Sequence, residues 1–108
     1  MNAAFPAALA GSADTAVFLA RRPAMFRSAP GRAAGSAAFL ALWAALAART
    51  FVEADGPPSP PTMALAGVAV SGNLAMLGAH LRRGVAAPRI FLGSALSVVV
   101  LADCLRRR

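Results

Sequence analysis

Long apolar runs that contain no charged residue divide this chain. The three charge-free stretches run from Arg32 to Arg49, from Asp55 to Arg82 and from Arg89 to Asp103. An ionised side chain is costly inside the hydrocarbon core of a bilayer, so runs of this kind are typical of membrane-spanning segments. The pattern predicts transmembrane helices over residues 33–52, 62–81 and 88–105.

The lengths of these segments agree with a bilayer. Residues 33–52 and 62–81 each cover about 30 Å as a helix, which is the thickness of a hydrocarbon core. The third segment is shorter, and Pro88 fits the first turn of its helix. Its consecutive valines, Val98 to Val100, favour a strand in water, but an unpaired strand does not occur in lipid. We therefore expect a helix there as well.

The N-terminal segment, residues 3–20, allows two interpretations. It is apolar and would cover about 27 Å as a helix, but it contains Asp14. An aspartate at the centre of a membrane helix costs about 2.5–3.5 kcal/mol, so this span would need support from its neighbours. The alternative is a mitochondrial leader, because residues 1–36 are rich in Arg and Ser and contain one acidic residue. A secretory signal peptide is not expected, because no basic residue precedes Arg21.

The connecting segments differ in composition. Residues 53–61 contain four prolines and form a Pro-rich loop, since proline interrupts a helix. Residues 21–32 hold four arginines and residues 82–89 hold three. Arginine-rich loops face the cytoplasm, which predicts a cytoplasmic side for both, while the C-terminal arginines fall on the opposite side.

The composition agrees with this layout. Hydrophobic residues make up 58% of the 108 residues and charged residues 14%, against about 25% charged in soluble domains. We expect an all-α fold, namely a single membrane domain over residues 1–108 that forms a small bundle of three to four transmembrane helices. The net charge of +7 comes from arginines that flank apolar spans. This placement indicates the lipid bilayer as the partner and argues against nucleic acid.

Small residues at helical spacing indicate where the helices pack, because they let membrane helices approach closely. The candidate packing positions are Gly67, Ser71, Ala75, Ala79, Gly93 and Ser97. Asn73 joins them, because an amide in lipid seeks a hydrogen-bond partner on another helix. We expect such faces to support a homo-oligomer or a larger membrane complex.

Asp14 is the candidate for chemistry. A carboxylate within a membrane span is a candidate proton relay or cation site. Asp103 precedes Arg106 and Arg107 by three and four residues, a spacing that predicts helical ion pairs. No catalytic motif is evident, and the lone His80 and lone Cys104 predict neither a metal site nor a disulfide. We expect a protein that is not an enzyme and has no cofactor.

The layout resembles the small multidrug resistance family of four-helix bacterial transporters. The resemblance lies in the chain length, the four short helices, Ala13–Asp14 in the first span and the rhythm from Gly84 through Pro88 to Gly93. It implies that Asp14 couples protons to the transport of a cation. The family's acidic residue is a glutamate, and its aromatic cation site has no counterpart in the third span here.

Three functions follow as expectations. The first is a non-enzymatic packing or accessory protein of a membrane complex, in the bacterial inner membrane. The second is a small proton-coupled transporter that uses Asp14. The third is a subunit of the mitochondrial inner membrane with an N-terminal leader.

Overall fold

The chain folds as a bundle of α-helices. A computed structural model describes residues 3–84 and 88–108, and within these ranges every regular element is helical. The helices are α1 Ala4–Ala20, α2 Met25–Ser28, α3 Pro30–Val52, α4 Pro60–Arg82 and α5 Pro88–Arg106. The prediction of an all-α bundle is confirmed. The short helix α2 lies inside the Arg-rich segment 21–32, where the sequence pattern predicts only a loop.

Prolines and one glycine set the limits of the long helices. α3 begins at Pro30 and α4 at Pro60, where a missing N–H and a fixed φ suit the first turn. The charge-free run places the start of α3 after Arg32, so the helix is one turn longer than expected. α4 ends before Gly84, whose φ of +69° is a conformation that glycine adopts readily. The segment 82–89 falls partly on residues 85–87, which lie outside the described residues.

The four long helices are arranged in a ring. α1 packs between α3 and α5, α5 packs between α1 and α4, and the α3–α4 contact is the smallest among the long helices. The backbone N–H of Ala4 donates to Asp103 at one end of α1, and Asp14 contacts Arg89 nearer the other end. α1 and α5 are therefore antiparallel. One end of the bundle holds the 53–59 hairpin loop, and the other, the Arg-rich end, holds segments 21–29 and 83–84.

The interior is narrow and is built mainly from alanine. Its completely buried hydrophobic residues are Ala4, Ala8, Leu46, Ala66, Ala69, Val100 and Cys104. Trp43 is the one large aromatic ring that is almost wholly buried among the described residues. Small side chains bring the helix axes close together, which is the usual means of packing helices in lipid.

The outside of the bundle is apolar. Its exposed hydrophobic side chains include Leu9, Val17, Phe51, Val52, Val68, Leu74, Leu81, Phe91 and Val98. α3, α4 and α5 are long and apolar enough to cross a membrane, and only 22–28% of the residues in their spans are buried. α1, at 17 residues, is shorter and covers about 25 Å. An apolar surface of this extent needs lipid around it, so the chain is a transmembrane protein.

Candidate functional site

An ion pair between α1 and α5 engages the candidate coupling residue. Asp14 Oδ2 lies 3.0 Å from Arg89 Nε, and both side chains are partly exposed. Asp14 precedes the end of α1 by six residues, about 9 Å, and Arg89 lies in the first turn of α5. The carboxylate therefore lies toward the Arg-rich end of the bundle. It has a cation beside it that is part of the same chain.

Phe18 extends this contact. The guanidinium of Arg89 lies 3.8 Å from the centre of the Phe18 ring, and that of Arg22 lies 4.4 Å from it. Cations over an aromatic face are attracted by the negative potential of the ring. One ring thus positions two arginines, and it joins the end of α1 to the beginning of α5.

A shallow, basic pocket lies at the same end, between the end of α1 and the beginning of α3. It has a volume of about 410 Å³ and is lined by Arg21, Arg22, Met25, Ser28, Ala29 and Arg32, among others. The Ser28 hydroxyl donates to the backbone carbonyl of Ala24, which is also on the pocket wall. The short helix α2 forms one side, with Met25 buried against the bundle and Phe26 exposed.

At the hairpin end, Glu53 closes the loop between α3 and α4. Its carboxylate accepts hydrogen bonds from the Ser59 N–H at 2.9 Å, from the Ser59 hydroxyl at 2.8 Å and from the Thr62 hydroxyl at 2.9 Å. Arg49 lies 3.6 Å away. The Ser59 N–H, followed by these hydroxyls and the Arg49 charge, holds the pKa of Glu53 below its ordinary value, although burial opposes the shift.

Asp103 and Arg107 tie α5 to the same loop. Asp103 is buried and lies 2.8 Å from Arg106 and 3.4 Å from Arg107, so the ion pairs predicted from helical spacing are confirmed. Arg107 Nη2 also donates to the backbone carbonyls of Glu53, Ala54 and Gly56, at 2.5, 3.0 and 2.7 Å. A charged donor shared among several carbonyls orders the loop at the mouth of the bundle.

The small-residue row on α4 faces away from the bundle. Gly67 and Ala79 are half-buried, and Ser71 and Ala75 are exposed. Apart from its chain neighbours and the backbone of its own helix, no described atom lies within 4 Å of the position that a Cβ at Gly67 would occupy. The buried face of α4 lies opposite and consists of Thr62, Ala66, Ala69 and Asn73.

Two of the packing candidates meet each other across helices. The side-chain oxygen of Asn73 would lie 2.7 Å from a Cβ at Gly93, so the absence of a side chain there admits the amide. The amide nitrogen of Asn73 donates to the Ala69 carbonyl of its own helix at 2.7 Å. Ser97 is completely buried, and its hydroxyl donates to the Ser94 carbonyl at 2.8 Å.

Sequence patterns do not identify the partners of these residues. Arg89 and Glu53 each lie just outside a charge-free run, where a charge is expected to face headgroups or water. Asp14 and Arg89 are far apart in the sequence, so no local pattern predicts their contact. The same is true of Arg107 and the hairpin loop. The spaced polar residues Glu53, Ser59 and Thr62 are the only local indication of the hairpin network.

Residues 3–84 and 88–108 show no metal-binding cluster. No group of three His, Cys, Asp or Glu side chains there could hold a metal ion. Cys104 is buried and unpaired. The sequence matches no family model, and no curated protein or solved structure is significantly similar to it.

Proposed function

We propose that this protein is a non-enzymatic packing or accessory subunit of a membrane complex, and that it contacts its partner or a second copy of itself through α4. The observation that carries the proposal is the outward position of the small-residue row Gly67, Ser71, Ala75 and Ala79. Among the described residues, no other helix lies within 4 Å of the position of a Cβ at Gly67. Rows of small residues every four positions are the surfaces on which membrane helices associate.

The ring of helices adds support, because it leaves α4 the least enclosed of the long helices. α4 contacts α5 extensively and α3 only slightly, whereas α1 and α5 each have two substantial neighbours. Phe39 inserts at Gly72 and forms part of the small α3–α4 contact. A second helix on the outer face of α4 would bury surface that the chain itself leaves open.

The ion pair of Asp14 favours a structural role over proton-coupled transport. A coupling carboxylate must release its proton and accept a cation in turn. Asp14 already faces Arg89 at 3.0 Å, and Arg89 is also packed on Phe18. A resident arginine would compete with any transported cation for the carboxylate.

The position of α1 favours a bundle helix over a cleaved leader. Ala4, Ala7, Ala8 and Gly11 are buried, and α1 packs between α3 and α5. Removal of α1 would expose Trp43 and one side of α5. This supports a four-helix membrane protein, and we assign it to the bacterial inner membrane.

The experiment compares two variants with equal numbers of small-to-large changes. Ser71→Leu/Ala75→Leu fills the outer face of α4, and Ala95→Leu/Ala102→Leu enlarges exposed positions on α5. Native gel electrophoresis of mildly solubilised membranes should show the wild type and the α5 variant in an assembly larger than the monomer. The α4 variant should migrate as a monomer.

A monomeric wild type in native membranes and in mild detergent would contradict the proposal. The transporter hypothesis is tested separately with purified protein in liposomes. pH-dependent cation uptake that is present in the wild type and absent in Asp14→Asn would favour transport over packing.

A further inference from the structure

The two ends of the bundle carry very different charge. The Arg-rich end holds seven arginines and one acidic residue, Asp14, whereas the hairpin end holds four arginines and three acidic residues. At the hairpin end Glu53 and Asp103 neutralise the arginines nearest to them. At the Arg-rich end Asp14 is engaged by Arg89. The remaining arginines there have no acidic partner among the described residues.

Three of these arginines, all of them exposed, line the basic pocket. Arg21 and Arg22 follow the end of α1, and Arg32 lies in the first turn of α3. Arg22 is held by the face of Phe18, which restricts its freedom before any ligand arrives.

The beginning of α3 adds a fourth positive contribution. Its N-cap residue, Ala29, makes no side-chain hydrogen bond to the helix, and Ala33 is the first residue whose N–H bonds back to Ala29. Among the described residues, the N–H groups of Gly31 and Arg32 therefore have no side-chain capping partner. The positive end of the helix dipole lies on the pocket rim, where it favours an anion.

The location of the pocket favours a lipid headgroup as the source of the anion. It opens at the Arg-rich end of the bundle, next to the ends of the apolar helices. Phe26 of α2 is exposed beside it and is suited to the apolar side of the headgroup region. Basic pockets between membrane helices on the cytoplasmic side recognise anionic headgroups.

We infer that the pocket formed by Arg21, Arg22 and Arg32 binds the phosphate group of an anionic glycerophospholipid. The inference does not depend on the partner of α4. It depends only on the Arg-rich end lying at the membrane surface.

The test uses the full-length protein in mild detergent with phosphatidylglycerol as the probe and phosphatidylcholine as the zwitterionic control. The pocket variant is Arg21→Gln/Arg32→Gln, which leaves the contact of Arg22 with Phe18 intact. The matched control is Arg27→Gln/Arg82→Gln, which removes the same charge from exposed positions at the same end. Circular dichroism establishes that both variants keep the helical content of the wild type.

The wild type should bind phosphatidylglycerol in preference to phosphatidylcholine. The pocket variant should lose about tenfold in affinity or more, and the control about threefold or less. Equal losses of affinity in the two variants would show that the lipid responds to the overall positive charge of this end and not to the pocket, and would overturn the inference. Displacement of the lipid by millimolar inorganic phosphate would also overturn it, because the site would then take free phosphate.

Discussion

Trp43 of α3 lies across the backbone of Gly11 in α1, and its indole ring fills the space that a side chain at Gly11 would need. The ring is 2% exposed. Because Trp43 lies well inside the apolar span, a packing role rather than a place in the interfacial aromatic belt is expected of it. The contact fixes how closely α1 and α3 approach, and it holds in the bundle the first helix, whose Asp14 makes insertion costly on its own.

Gly11→Ala should therefore destabilise the protein. The added methyl group would overlap the Trp43 ring, and overpacking of this kind costs about 1–3 kcal/mol. The control is Gly35→Ala, where no atom lies within 4 Å of the new Cβ and alanine improves helix propensity by up to about 1 kcal/mol. The free energy of unfolding is measured in mixed micelles titrated with sodium dodecyl sulfate. Equal stability of the two variants would contradict the tight α1–α3 contact.

Asp14 and Arg89 should show a measurable but small coupling. Their side chains are 30% and 38% exposed, so water and headgroups screen the pair. A double-mutant cycle with Asp14→Asn and Arg89→Gln should give a coupling of about 0.5–1 kcal/mol, as for exposed ion pairs. The matched cycle pairs Asp14→Asn with Arg83→Gln, an exposed arginine at the same end, and should give none. A coupling free energy of zero in both cycles would contradict an ion pair between Asp14 and Arg89.

The hairpin should lose stability at acid pH because of Glu53. The pKa of this carboxyl is lowered in the folded protein by the Ser59 N–H and the neighbouring donors. The folded state then binds fewer protons than the unfolded state, so its stabilisation is complete above the ordinary pKa of 4.5 and is lost as the pH falls through the lowered value. Stability between pH 6 and about pH 2 should fall more in the wild type than in Glu53→Gln. Asp55→Asn, at an exposed position of the same loop, should behave like the wild type.

Arg107 should control the order of the hairpin loop. Arg107→Ala removes the donor shared by three loop carbonyls, and hydrogen bonds to a charged group contribute about 1.5–3 kcal/mol. Amide hydrogen exchange at residues 53–59 should accelerate in this variant. The same measurement on Arg108→Ala, at the exposed neighbouring position, should show wild-type rates. Unchanged exchange in Arg107→Ala would mean that the loop orders itself without α5.

The membrane topology should place the Arg-rich end in the cytoplasm. Four helices in the ring put residues 27 and 84 on one side and residues 57 and 108 on the other. The Arg excess on the first side directs it inward. Reporter fusions at residues 27, 57, 84 and 108 should give cytoplasmic activity at 27 and 84 only. The same side for 27 and 57 would mean that α3 does not cross.

The location of the helices could be predicted because a bilayer imposes a simple rule on a sequence. Charge-free runs between arginines place three helices to within a turn, and Pro30 accounts for the additional turn of α3. The sequence does not decide whether residues 3–20 cross the membrane, because the insertion cost of Asp14 makes this segment marginal when it is considered alone. The partner that offsets this cost, Arg89, lies far along the chain. The short helix α2 was not predicted because four residues are too few to show a helical periodicity of apolar positions.

The side of a helix that faces inward is decided only by the tertiary structure. Almost every face of α4 is small or apolar, so the sequence by itself does not decide whether the Gly67 row faces the bundle or a second chain. The structure buries Ala66 and leaves the Gly67 row outside, and Asn73 on the buried face meets Gly93 on α5. The sequence by itself determined the solvent of this protein, which is lipid, since charge and length alone decide that. Only the tertiary structure decided which helix faces contact one another, because steric fit and ion pairs join residues that no local pattern connects.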